Sequence, residues 1–127
     1  MVFNNKQKVV PCVIGLGYVG LPVFVQLKKK FNSIAFDNNT KRINQLKKLY
    51  DINKEHTKKD LKIINKSTYS SNKKILLKSN FYIVTVPTPI DKKKIPDLSS
   101  LINVSKVIAK NLKIGDIIVF ESTVYPG

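Results

Sequence analysis

Apolar positions along the chain fall into short, nearly continuous runs, separated by polar stretches in which hydrophobic residues recur every three or four positions. The runs are Val9 to Ile14, Ser33 to Phe36, Phe81 to Val86 and Ile117 to Phe120. Such runs, bounded by turn residues, read as strands of a parallel sheet covered on both faces. The first strand is expected from Val10 to Ile14, with Pro11 at its start because proline cannot donate to a central ladder. The second is expected from Ser33 to Asp37, a short third from Thr68 to Ser70, a fourth from Phe81 to Pro87 and a fifth from Ile117 to Glu121.

The intervening stretches carry the helical period. Tyr18 to Phe31 is predicted to be the first helix, with Pro22 in its first turns, where a missing N–H costs least. Thr40 to Leu49 is the second, with Ile43, Leu46 and Leu49 on one face and Asn39 or Thr40 as its cap. Asp60 to Ile64 reads as a helical turn or two, and Asn72 to Ser79 as a short helix. A further helix, capped by Asp97, keeps Leu101, Val104, Ile108 and Leu112 on one side. Gly115 suits a turn of positive φ. Alternation of strand and helix implies an α/β, Rossmann-type, doubly wound parallel sheet in three layers with right-handed crossovers. The expected strand order is 3-2-1-4-5, in one domain covering residues 1–127.

One junction carries chemistry. Gly15, Gly17 and Gly20 have GxGxxG spacing and stand between the first strand and the first helix. Gly15 lets the chain turn sharply out of the strand, Gly17 leaves room for a pyrophosphate, and Gly20 lets helix and strand pack closely. The helix start points free N–H groups and a positive dipole end at the phosphates. Asp37 closes the second strand at the roughly 20-residue offset expected of the acid that binds the adenine ribose hydroxyls. The competing reading is that the glycines form a tight loop and Asp37 caps the next helix. Ligands in such sheets bind beyond the carboxyl ends of the strands. There Thr85, Thr88, Ser122 and Thr123 can offer hydroxyls to a cofactor, or simply satisfy their own turns.

Composition narrows the picture. A chain of 127 residues, 43% hydrophobic, can form one domain that buries about two thirds of its unfolded surface. No run reaches the ~18 apolar residues of a membrane span, and Met1 to Gln7 shows no signal-peptide pattern. A single cysteine, Cys12, allows no internal disulfide, which favours the cytoplasm. Cys12 lies inside the first strand and reads as core. His56 lies in a polar stretch without metal-ligand partners and reads as exposed; no metal site is expected. The net charge of +15 raises nucleic acid as a partner. However, the lysines are scattered over helix ends and loops, and aromatics do not interleave with them as a stacking platform requires. A solvated lysine-rich surface, with no specific nucleic-acid partner, is the expectation.

GLGYVGLP, a strand ending in Asp37, TVPTP, the PDLS helix start and ESTVYPG occur in this order between Pro11 and Gly127. Together they resemble the NAD-binding domain of the UDP-glucose/GDP-mannose dehydrogenase family. Within it, the likeness is to UDP-N-acetylhexosamine 6-dehydrogenases of the Vi-polysaccharide and capsule biosynthesis type. The resemblance implies a cytoplasmic, homo-oligomeric oxidoreductase. It would oxidise the C6 alcohol of a nucleotide sugar to a uronate with two NAD, through a thioester on a cysteine. It implies that Gly15, Gly17, Tyr18, Val19 and Gly20 form the pyrophosphate turn. Asp37 would hold the adenine ribose, with Arg42 as the nearby basic contact. Pro87 and Thr88 would line the adenosine side. Thr123 matches the catalytic threonine that orients a water near the reacting carbon. The family's nucleophilic cysteine and the partners that act with it have no counterpart in these residues. This chain by itself is therefore expected to be inactive and to be the N-terminal part of a longer enzyme. A stand-alone nucleotide-sensing Rossmann module is the alternative, but it leaves TVPTP and ESTVYPG without a purpose.

Overall fold

The computed structural model describes residues 8–122. Residues 1–7, and Thr123 with the residues after it, lie outside these residues. Five parallel strands form one sheet: β1 (Pro11–Ile14), β2 (Ile34–Phe36), β3 (Tyr69–Ser70), β4 (Phe81–Val84) and β5 (Ile117–Phe120). Their order is β3-β2-β1-β4-β5, the 3-2-1-4-5 arrangement expected from the alternation of elements. Four α-helices connect them: α1 (Gly20–Lys28), α2 (Thr40–Lys47), the single-turn α3 (Lys58–Leu61) and α4 (Ser99–Ala109). The expected helix over Asn72 to Ser79 is a 3-10 helix, Lys73–Lys78, with the Asn72 side chain accepting from the Lys74 N–H.

Alternation along the strands divides the core in two. Val13 and Ala35 point to the face where α1 and α2 contribute Leu21, Phe24, Ile43 and Leu46. Cys12, Ile14, Ile34 and Phe36 point to the other face, against Ile75, Leu76 and Ile108. Every residue of β1 and β2 is therefore buried. Pro11 opens β1, as its missing N–H requires. The polar groups of the preceding residue, Val10, are met by the two residues just before β4: its N–H donates to Asn80 Oδ1 at 2.8 Å, and its carbonyl accepts from Ser79 Oγ at 2.8 Å.

The elements are shorter than the hydrophobic pattern suggested. Helix α1 starts at Gly20 rather than Tyr18, because the glycine turn occupies the residues between. It stops at Lys28, and the N–H groups of Lys29 to Phe31 turn back onto the Gln26 and Leu27 carbonyls. Helix α2 ends at Lys47, and the chain leaves it through Leu49 at φ +57°. That left-handed conformation at a helix C-terminus more often falls to glycine. Gly115, at φ +92°, takes the turn before β5. Beyond α4, Leu112 is exposed rather than part of the buried face. The fifth strand is also less covered than its IIVF sequence predicts. Ile117, Ile118 and Val119 are half-buried and Phe120 is exposed, because β5 is the outermost strand on that side of the sheet.

Candidate dinucleotide site

The carboxyl ends of β1, β2 and β4 open into a cleft of about 890 Å³. The three glycines stand at its floor in three different environments. Gly15 has φ +98°, and a Cβ there would meet the Thr85 and Val86 backbone at 3.2 Å. Its N–H donates to the Phe36 carbonyl at 2.8 Å, which ties the turn to β2. A Cβ on Gly20 would overlap the Gly15 carbonyl oxygen, so only glycine lets α1 approach β1 this closely. A Cβ on Gly17 would meet nothing within 4 Å. Gly17 lines the cleft, so the open space above it is where a ligand's phosphates can approach the backbone. Helix α1 begins without a side-chain cap. Its Leu21 N–H is spent on the Gly17 carbonyl at 3.2 Å and Pro22 has none, so among the helix's first residues it is the Gly20 N–H that can meet a ligand. Tyr18 is 67% exposed beside it.

Asp37 lies across the turn from this floor. Its Oδ2 accepts from the Leu16 N–H at 2.7 Å and its Oδ1 from the Asn39 N–H at 2.8 Å. Asp37 is thus not the cap of the next helix that the competing reading expected. It braces the loop before α2, whose cap is Asn39 accepting from the Arg42 N–H, and it lines the cleft. A carboxylate oxygen accepts more than one hydrogen bond, so both oxygens keep capacity for ribose hydroxyls.

Arg42 is not the free basic group that its sequence position suggested. It is buried. Its Nε donates to the Leu16 carbonyl at 2.7 Å and its Nη1 to Asp51 Oδ1 at 2.9 Å, while its Nη2 is buried without a hydrogen-bond partner. Asp51, which sequence reasoning passed over, has a fully buried side chain. Burial alone would push its carboxyl up. Hydrogen bonds from Arg42 and the Asn53 N–H, with the Arg42 charge and His56, outweigh that and hold it below the usual carboxylate range. His56 is likewise not exposed as expected: its Nδ1 lies 3.3 Å from Asp51 Oδ2. The signal available in the sequence was an Asp followed by a polar loop, where a short side chain can gather the backbone N–H groups that come after it.

Thr85 turns out to be structural. It is buried, and its hydroxyl lies 3.0 Å from the Ile14 carbonyl and 2.8 Å from that of Gly15, both as acceptors. Pro87 lines the cleft, and Thr88 follows it half-buried. Ser122 Oγ donates to the Val86 carbonyl at 2.7 Å, joining the segments that leave β4 and β5. Thr123 lies outside the described residues. Lys73, Ser100 and Asn103 also line the cleft and were not anticipated. Cys12 sits in β1 with its thiol pushed up by burial, which makes it a poor nucleophile. No group of three or more potential metal-ligating residues occurs among the described residues.

Comparison with known proteins agrees with this geometry. Residues 9–127 match the model of the UDP-glucose/GDP-mannose dehydrogenase family, NAD binding domain. The chain is 47% identical over 115 residues to a UDP-N-acetyl-D-glucosamine 6-dehydrogenase of Salmonella typhi. It is 49% identical over 115 residues to Protein CapL of Staphylococcus aureus. Each alignment covers 91% of this chain but 27% of the relative, so the chain spans about a quarter of their length. Among solved structures, a UDP-D-ManNAc dehydrogenase from Pyrococcus horikoshii superposes with a TM-score of 0.83 at 25% identity, covering 94% of this chain and 29% of its own. A GDP-mannose dehydrogenase from Pseudomonas aeruginosa gives a TM-score of 0.80 at 24% identity, covering 92% of this chain and 29% of its own, a likeness of fold.

Proposed function

Because the chain belongs to the UDP-glucose/GDP-mannose dehydrogenase family as its NAD-binding domain, we propose that it is the cofactor half of a nucleotide-sugar 6-dehydrogenase. The substrate would be a UDP-sugar whose C6 alcohol is oxidised to a uronate with two NAD. The names of the relatives favour a UDP-N-acetylhexosamine. The family resemblance supports a cytoplasmic, homo-oligomeric enzyme of surface polysaccharide biosynthesis.

The observation that carries this reading is the contrast between Gly20, which has no room for a Cβ, and Gly17, which has open space above it. A loop built only for compactness has no use for the second. In the proposed enzyme, NAD supplies the acceptor for the hydride from C6. The residues of this chain hold and orient it. Gly15, Gly17, Tyr18, Val19 and Gly20 would surround the pyrophosphate, and Asp37 would accept from the adenine ribose hydroxyls. Arg42 and Pro87 would wall the adenosine side, with Thr88 and Ser122 beyond. Thr123 would orient a water near the reacting carbon. A charged Asp37 repels a 2′-phosphate, so NAD should bind in preference to NADP.

None of these residues brings the thiolate that would trap an aldehyde, and a threonine such as Thr123 is a poor base for the alcohol proton. Taking an alcohol to an acid by this route needs a base and a thiolate. The chain of 127 residues should therefore bind NAD yet turn over no nucleotide sugar. Calorimetric titration with NAD and NADP at fixed salt tests the first half, and tighter binding of NADP would refute the role of Asp37. Incubation with NAD and a panel of UDP-sugars, followed by absorbance of the reduced cofactor, tests the second. Sustained NADH formation above a Gly17→Val control would show that catalytic residues are present after all.

A further inference from the structure

Leu16, the residue between the first two glycines of the turn, is gripped on both sides of its backbone. Its N–H donates to Asp37 Oδ2 at 2.7 Å, and its carbonyl accepts from Arg42 Nε at 2.7 Å. Arg42 is fixed in turn by Asp51, whose Oδ1 accepts from Nη1 at 2.9 Å. The other acceptor positions of Asp51 are filled by the loop that follows it. The Asn53 N–H donates to Oδ1, and the Glu55 and His56 N–H groups donate to Oδ2, each at 3.2 Å. One carboxylate thus folds residues 52–56 around itself and braces the glycine turn through a guanidinium.

Asp51 does not itself line the cleft, but Ile52, Asn53 and Arg42 do. Ile52 is 54% exposed, an apolar side chain left open to the same cleft. Exposed apolar surface in a cleft wall suits the face of a purine.

We propose that Asp51 is a positioning residue for cofactor recognition, acting through Arg42 on the glycine turn and through its own loop on an Ile52 wall for the adenine ring. The proposal rests on the cleft taking NAD. A side chain that touches no ligand nevertheless sets two surfaces that do. A role limited to stapling the fold would make the same contacts but would leave the affinity of the folded protein unchanged.

The test is calorimetric titration of NAD and of AMP into the full chain, with thermal unfolding to establish that each variant is folded at the assay temperature. Asp51→Asn is expected to weaken NAD binding about tenfold, within the range for side chains that share one network. Arg42→Gln should do the same, and the double variant should bind no more weakly than the worse single one. Independent, multiplying losses would overturn the action through Arg42, and an unchanged affinity in folded Asp51→Asn would overturn the proposal outright. Ile52→Asn, at an exposed position, decides the matter for the wall if Asp51→Asn fails to fold. Several-fold weaker binding of both NAD and AMP is expected there, and unchanged binding would refute it. A wild-type chain that binds neither ligand would refute the cofactor reading, and this proposal with it.

Discussion

The two sides of the sheet are finished to different degrees. On the β1–β2 side, every strand residue is buried, and α1 and α2 close over Val13 and Ala35. On the β4–β5 side, the strand residues are at most half-buried along β5, and α4 buries only Ile108 fully. Leu101, Ile102 and Phe120 line an open, largely apolar hollow of about 450 Å³ there. Both sides are made from equally apolar runs, FYIV and IIVF as much as PCVI. Hydrophobic sequence alone therefore does not decide burial; position in the sheet and the number of helices that cover it do. The glycine turn belongs to the better-covered side, and what it takes from the β4 side is the Thr85 hydroxyl on the Ile14 and Gly15 carbonyls.

Four experiments would break or sharpen this contrast. The largest effect should come from Gly20→Ala, whose methyl would overlap the Gly15 carbonyl oxygen. Backbone cannot step aside as a side-chain tip can, so a loss of about 3 kcal/mol or more is expected in urea unfolding, at the upper end for overpacking. Next, Leu46→Ala, at a fully buried position, should cost about 2–5 kcal/mol. Leu101→Ala, half-buried beside the open hollow, should cost less, about 1–2 kcal/mol, because part of its surface is already in water. Equal losses at the two positions would show that the β5 side is as well packed as the β1 side. Gly17→Val should leave stability within about 0.5 kcal/mol, since its Cβ meets nothing, yet weaken NAD at least about tenfold by filling the space a pyrophosphate needs.

The smallest effect concerns pH. The Asp51 carboxyl is held below its ordinary value, so it stabilises the fold fully above the unfolded carboxylate value of about 3.9. That contribution is lost as pH falls through the lowered folded value. Unfolding measured from pH 7 downward should show stability dropping below about pH 4, with a shallower acid limb in Asp51→Asn. Asp60 and Asp97 are also held low, by bonds from Thr57 and Ser99, so the slope should be reduced rather than abolished. An unaltered acid limb would place the charge of Asp51 outside the stability of the first half.

The fold was legible where local pattern and global arrangement agree. The glycines, Asp37 and the strand order could be read because each depends on residues close in sequence or on the general handedness of crossovers. What could not be read depends on long-range pairing. Nothing local shows that Arg42 turns inward to Asp51, or that Thr85 spends its hydroxyl on the Ile14 and Gly15 carbonyls. His56 looked solvated because its neighbours in sequence are polar, yet those same neighbours wrap around one buried carboxylate. Element ends were misjudged for a related reason. A hydrophobic run persists into Val86 and Pro87, while the strand stops at Val84 as the chain turns to line the cleft.

Leu16 has one further consequence. Its side chain is fully buried in the core under α1 and α2, while its peptide groups form part of the cleft floor. One residue is thus shared between the hydrophobic interior and the ligand surface. A ligand that rigidifies the floor must also damp the local openings of that interior. Cofactor binding should consequently slow amide hydrogen exchange well behind the cleft, in β1 and β2, before any contact on the far side of the sheet is altered.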